Sequence, residues 1–220
     1  KDVPVLENPA LPIGAYPKRA PAYDGMVLPK QQSFADWNQS LPVGSASSRR
    51  TLQFQMQYPN CTVHPIRGNV LTRLEKLDRG EYGALILAEA GLQRLGLEHR
   101  ITRRFSPAEI VPAAGQGILA VQGRAGEYTD LLQRLNDQQA AFCAKIERAV
   151  SKALNGDCTA PIGAYADLQG EHVTLYGFYA EDGVGIKSTL TGSVTQAESL
   201  ANTFAEQLKQ QVQAKKEAML

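Results

Sequence analysis

The residues with the clearest capacity for chemistry lie in a small-residue, basic stretch, Gly44-Ser45-Ala46-Ser47-Ser48-Arg49-Arg50. A glycine and serines at the start of a helix present backbone N–H groups, hydroxyls and the positive end of the helix dipole to an anion. Two adjacent arginines add forked donors that fit carboxylate or phosphate. Arg67-Gly68-Asn69 repeats the arrangement at a strand end, with Arg73 one helical turn further on. Several arginines could thus converge on one anion-rich ligand. The competing reading is that adjacent helical arginines are solvated surface charge.

A second feature is Asn155-Gly156-Asp157-Cys158-Thr159-Ala160-Pro161-Ile162-Gly163. It places Cys158 in a loop between a helix end and a strand, among turn-forming and small residues. An accessible thiol there could act as a nucleophile or an attachment point; a half-buried turn cysteine is the plainer alternative. Pro112-Ala113-Ala114-Gly115-Gln116-Gly117 is a small-residue loop that could admit a ligand to the backbone or serve as an interdomain hinge. Asp2 is a single carboxylate near the start of the chain and carries no signal by itself. His64, His99 and His172 show no metal spacing, and Cys61, Cys143 and Cys158 form no zinc pattern. Cys61 and Cys143 have apolar neighbours and read as small core residues.

The elements that must position these residues follow from periodicity. Prolines at 4, 9, 12, 17, 21, 29 and 42 make the first 42 residues extended segments and turns. Helices are expected at 47–58, 69–78 and 92–97, and strands at 61–66, 82–88, 101–105 and 118–121. Alternation at that spacing argues for an α/β layer with a mostly parallel sheet. From residue 136 the pattern changes. A helix over 136–154 precedes strands near 163–167, 172–180 and 186–190, with Asp182-Gly183 as a hairpin signal. Thr195 and Glu198 read as a capping box. They open a last helix whose stripe is Leu200, Ala201, Phe204, Leu208 and Val212. The result is a compact αβββα unit.

Length and composition bound the rest. A chain of 220 residues with 43% hydrophobic and 20% charged residues can bury an ordinary core in one large domain or two smaller ones. With 23 Lys+Arg against 22 Asp+Glu, the net charge is +1, so nucleic-acid and anionic-membrane partners are disfavoured. No apolar run is long enough to span a bilayer. An odd, sparse cysteine count fits a reducing compartment, so a cytoplasmic location is expected. The opening Lys1-Asp2-Val3-Pro4 lacks a methionine, and further residues are expected upstream.

Nine stretches, taken together, resemble the porphobilinogen deaminases, also called hydroxymethylbilane synthases. They are Lys1 to Pro4; the Arg19/Pro21/Asp24 segment; Val43 to Arg50; Arg67 to Leu74; Lys76 to Tyr82; Ala88 to Leu97; Pro112 to Gly117; Glu147-Arg148-Ala149; and Gly156 to Ala166. They occur in the family's order from residue 1 to 166. The resemblance implies two α/β domains of the periplasmic-binding-protein type, the first incomplete here, and a C-terminal αβββα domain. Residues 1–18 and 118–135 would be a remnant of the first domain, 19–117 the second with hinge segments at its ends, and 136–220 the third.

The same resemblance implies an enzyme that condenses four porphobilinogen molecules into hydroxymethylbilane with loss of ammonia, in tetrapyrrole (haem) biosynthesis. Cys158 would hold a dipyrromethane cofactor through a thioether. Asp2 would be the catalytic carboxylate, stabilising the cationic azafulvene-like electrophile left by deamination and managing pyrrole protons. Each pyrrole carries acetate and propionate. Lys1, Ser45, Ser47, Arg49, Arg50, Arg67, Gly68 and Gln116 would bind the cofactor, and Arg73 and Arg94 the growing chain. A monomer without metal, nucleic acid or membrane partner is expected.

The family carries a further N-terminal stretch before its KDVP segment, supplying most of the first domain. Ser48 also stands where an apolar residue is usual, and the Arg19–Asp24 segment lacks the usual acidic pair. The alternatives are therefore a fragment that binds polycarboxylate pyrroles without turning them over, or a binding module for another anionic small ligand. The second would have no need of Cys158.

Overall fold

The computed structural model describes Val3, residues 8–155 and residues 160–219. In chain order the elements are β1 (Ile13–Ala15), β2 (Asp24–Val27), β3 (Val43–Gly44), α1 (Ser48–Gln57), β4 (Val63–His64), α2 (Val70–Asp78), β5 (Ala84–Ala88) and α3 (Glu89–Gln93). They continue with β6 (Ile101–Arg104), β7 (Val121–Gln122), α4 (Thr129–Leu135), α5 (Gln138–Ala153), β8 (Ile162–Gln169), β9 (His172–Glu181), β10 (Val184–Ser193) and α6 (Ala197–Glu217).

Strands β4-β3-β5-β2-β6 form a five-stranded sheet in that order. β5 is apolar throughout because both of its faces are covered. Ala84 and Ile86 join Met26, Trp37, Val43, Phe54 and Phe105 on one side. Leu85 and Leu87 join Val27, Ile66, Leu74, Leu77 and Leu92 on the other. Helix α2 starts where Asn69 accepts a hydrogen bond from the Thr72 amide at 2.9 Å.

The sheet is mixed, not mostly parallel as the alternation of elements predicts. β3 pairs parallel with β4 and β5, but β2 runs antiparallel to both β5 and β6. The cause is β2 itself, a fully buried strand inside the proline-rich stretch, where the prolines predict only extended segments and turns. Three local expectations also change. The helix expected at 92–97 lies earlier, at Glu89–Gln93, because Gly96 takes a left-handed φ of 67° and Leu97 N–H closes back on the Leu92 carbonyl at 2.9 Å. The strand expected at 118–121 shrinks to Val121–Gln122. Thr195 and Glu198 form no capping box: Ser193 instead accepts from the Thr195 amide and opens a short 3-10 turn before α6.

β1 and β7 form a two-stranded antiparallel ladder, with Leu132 of α4 against Gly14. The C-terminal unit is the three-stranded antiparallel sheet β10-β9-β8, turned at Asp182-Gly183 with φ values of 51° and 80°. α5 and α6 cover one face of it, burying Ile146, Val150, Phe204 and Leu208 against Val173 and Leu175. The other face meets the α/β unit, where Phe178 and Ala180 pack on Val111 with Leu52 alongside.

Candidate functional site

Strand direction places the basic residues together. Ser45 follows β3 and Arg67 lies just beyond β4, so both sit at the carboxyl ends of parallel strands, where open α/β sheets bind ligands. Because β2 is antiparallel to β5, its first residue, Asp24, pairs with Ala88 and lies at that same end.

Asp24 is fully buried and joins both arginines of the pair. Arg49 Nη1 donates to Asp24 Oδ2 at 2.8 Å and to the Val111 carbonyl at 2.6 Å. Arg50 donates through Nε to Asp24 Oδ1 at 2.8 Å, and its Nη2 is also 2.8 Å from Oδ1. Gln116 completes the cluster: its Oε1 accepts from Nη2 of both arginines at 3.3 Å, and its Nε2 donates to Asp24 Oδ1 at 2.9 Å and to the Ala22 carbonyl. Burial alone would raise the Asp24 carboxyl. The charges and hydrogen bonds of Arg49 and Arg50 outweigh it and hold the group below the usual carboxylate range. Burial draws the Arg49 guanidinium down, Asp24 opposes this, and Arg50 adds to it.

Among the described residues, two guanidinium groups face one carboxylate, which leaves one positive charge uncompensated in a nearly dry place. Among the described residues, Arg50 Nη1 has no hydrogen-bond partner. Arg73 adds to the excess: burial and then the charge of Arg50 pull its guanidinium below the ordinary value, while its Nε donates to the Gly68 carbonyl at 2.8 Å. Gly68 has a φ of 116°, the turn that aims α2 at this edge. Arg94 is exposed and reaches the Gly117 carbonyl at 3.3 Å. Arg67 is exposed at the strand end. Ser45 is buried and its amide donates to His64 O; its hydroxyl bridges to Ser47, which caps α1 through its backbone only.

Of the residues singled out in the sequence, Arg49, Arg50 and Gln116 are in direct contact, and Arg73 is coupled to them by charge. Ser45 and Ser47 lie at the start of the helix carrying the arginines. Lys1, Asp2 and Cys158 lie outside the described residues. Asp24 was legible only as part of a segment match; a carboxylate opening a strand gives no sign by itself that two arginines close on it. An uncompensated cationic cluster with a spare donor suits a ligand bearing carboxylates, and among the described residues no His/Cys/Asp/Glu group could hold a metal.

A family model described as porphobilinogen deaminase, dipyromethane cofactor binding domain, matches residues 1–131. Its companion, porphobilinogen deaminase, C-terminal domain, matches residues 141–210. A porphobilinogen deaminase of Acetivibrio thermocellus is 50% identical over 206 residues, covering 93% of this chain and 70% of that relative. Those of Alkaliphilus oremlandii and Roseiflexus castenholzii are 45% and 39% identical over 210 and 211 residues, covering 95% and 94% of this chain and 70% of each relative. Among solved structures, an arginine-specific periplasmic binding protein of Salmonella typhimurium superposes at a TM-score of 0.32 and 18% identity, over 58% of this chain and 60% of its own, too little to define a common fold.

Proposed function

The chain belongs to the porphobilinogen deaminase family, the hydroxymethylbilane synthases of tetrapyrrole biosynthesis, and we propose that its Asp24–Arg49–Arg50–Gln116 cluster is where this enzyme grips the carboxylates of its pyrroles. The carrying observation is the positive charge that the described residues of that cluster leave unbalanced, with Arg50 Nη1 free of described partners and Arg73 close enough to feel it.

The donor set fits the dipyrromethane of the family's cofactor-binding domain, whose pyrroles bear carboxylates. Cys158 would hold it through a thioether. Arg49, Arg50, Arg67 and the Gly68 backbone, with Lys1, Ser45, Ser47 and Gln116, would fix its side chains; Arg73 and Arg94 would take those of incoming units. When bound, the cofactor supplies the covalently held acceptor on which pyrrole units are condensed. Asp2 would supply the carboxylate that stabilises positive charge at the reacting pyrrole. In this reading residues 19–117 and 136–220 are the second and third domains, with 1–18 and 118–135 belonging to the first.

Porphobilinogen would be the small-molecule partner. A cytoplasmic monomer is the proposed state. The free, buried Cys61 and Cys143 support the location, and a net charge of +1 fits a protein that draws no polyanion. Among the described residues no helix is long and apolar enough to cross a membrane.

The test is the intact mass of the denatured protein. A covalent excess of two deaminated porphobilinogen units on the peptide bearing Cys158, lost in Cys158→Ser with the fold retained, is the expected result. An adduct that persists in Cys158→Ser would overturn the assignment.

A further inference from the structure

We propose that Asp24 is a positioning residue for the carboxylate-binding arginines, holding Arg49 and Arg50 as one preset double fork before any ligand arrives. This rests on the reading of that cluster as the site that grips pyrrole carboxylates.

An unrestrained arginine must give up rotamer freedom each time it captures a ligand. Here that freedom is already lost. The Arg49 side chain is 4% exposed and that of Arg50 11%, and each is bound at 2.8 Å to a different oxygen of one carboxylate. Gln116 fixes the angle between the two groups, since its Oε1 accepts from both and its Nε2 returns a bond to Asp24. The Asp24 backbone is fixed because it opens β2, which is paired on both sides within the sheet, and its carboxylate is held by Arg49, Arg50 and Gln116. One charge therefore organises two, and leaves one to meet the ligand. A second aspartate in this cluster would cancel the excess charge, and none would leave both guanidinium groups without an anchor.

The test compares wild type, Asp24→Glu and Asp24→Asn after incubation with porphobilinogen. Two quantities are read: the fraction of molecules gaining the dipyrromethane mass, and the thermal midpoint. Asp24→Glu keeps the charge but moves the carboxylate by one methylene. Loading per folded molecule is expected to slow roughly tenfold to a hundredfold in Asp24→Asn, as for a misplaced binding group, and less in Asp24→Glu. A merely structural Asp24 would lower the midpoint and leave loading per folded molecule at the wild-type rate, which would overturn the proposal.

A second measurement needs no cofactor. Side-chain N–H exchange is followed by NMR in wild type, with exposed Arg67 as the reference. Slow exchange at Arg49 and Arg50 supports presetting; exchange as fast as at Arg67 overturns it. A wild type that fails to load counts against the functional reading alone, and the exchange experiment, repeated in Asp24→Asn, still decides the role of Asp24: exchange at Arg49 and Arg50 as slow as in wild type would overturn it.

Discussion

Arg19 and Glu147, separated by 128 residues of sequence, meet in a two-pronged ion pair at 2.6 and 3.2 Å. The Glu147 side chain is fully buried, and its two oxygens also accept the backbone amides of Ala166 at 2.9 Å and Gly115 at 2.7 Å. One carboxylate thus ties the segment leading into β2, the loop carrying Gln116, helix α5 and strand β8. Arg19 Nε donates to the Gln116 carbonyl at 3.1 Å, so this junction is bonded directly to the Asp24–Arg49–Arg50–Gln116 cluster.

Glu147→Gln is expected to destabilise the protein by about 3–5 kcal/mol, the cost of stranding a buried partner charge. The amide keeps one acceptor where two oxygens served, and its NH2 faces donors. Urea unfolding checks this. A loss below about 1 kcal/mol, the value of an exposed pair, would show that Glu147 does not hold the junction.

Much of this arrangement is legible in the residues. Leu71, Leu74 and Leu77 mark α2, Asp182-Gly183 marks the β9–β10 hairpin, and the β5 apolar run marks a doubly covered strand. The adjacent arginines after a serine-rich turn point to an anion site. What could not be read is pairing over long separations. β2 has only four residues, one of them glycine, and lies among prolines, so no period identifies it as a central strand. Asp24 and Glu147 look like ordinary acids because their arginine partners are 25 and 128 positions away. The capping box at Thr195 failed for a local reason: Ser193, two residues earlier, competes for the same amide.

Asp24 gives the protein an acid-sensitive contribution of defined sign. Its folded carboxyl lies below its unfolded value near ~3.9, so the stabilisation is complete above about pH 5 and is lost as pH falls through the folded value. The stability gap between wild type and Asp24→Asn should be constant from pH 5 to 8 and narrow below about pH 4. Denaturant melts across that range measure it. An equal gap at about pH 2.5 and pH 7 would contradict the depressed carboxyl.

The buried cysteines should be inert where the proposed attachment cysteine, Cys158, is reactive. Burial, reinforced by Glu147 and opposed by Arg19, pushes the Cys143 thiol up to about 11. Burial also raises Cys61. At pH 8 about one Cys143 in a thousand is thiolate. Iodoacetamide applied to the native protein without cofactor is expected to label Cys158 and spare the other two; in urea all three react. Peptide mass mapping reads the result. Native labelling of Cys143 at the rate of a free thiol would show that this part of α5 opens easily.

Gly117 and Gly80 separate backbone strain from close contact. Both have left-handed φ, 84° and 81°. A Cβ at Gly80 would meet nothing within 4 Å, whereas one at Gly117 would lie 2.3 Å from the Ala20 carbonyl oxygen. That oxygen is backbone, and it cannot retreat freely, because Ala20 N–H donates to the Gly117 carbonyl at 3.1 Å. Gly80→Ala should therefore cost only the left-handed conformation, about 1–2 kcal/mol. Gly117→Ala should cost roughly 1–3 kcal/mol more from overpacking. It should also slow cofactor loading, since it displaces Gln116 next door and the Arg94 contact to the Gly117 carbonyl. Gly80→Ala should leave loading unchanged. Equal destabilisation by the two substitutions would mean that the 19–21 and 115–117 segments separate without loss, and that the junction does not position Gln116.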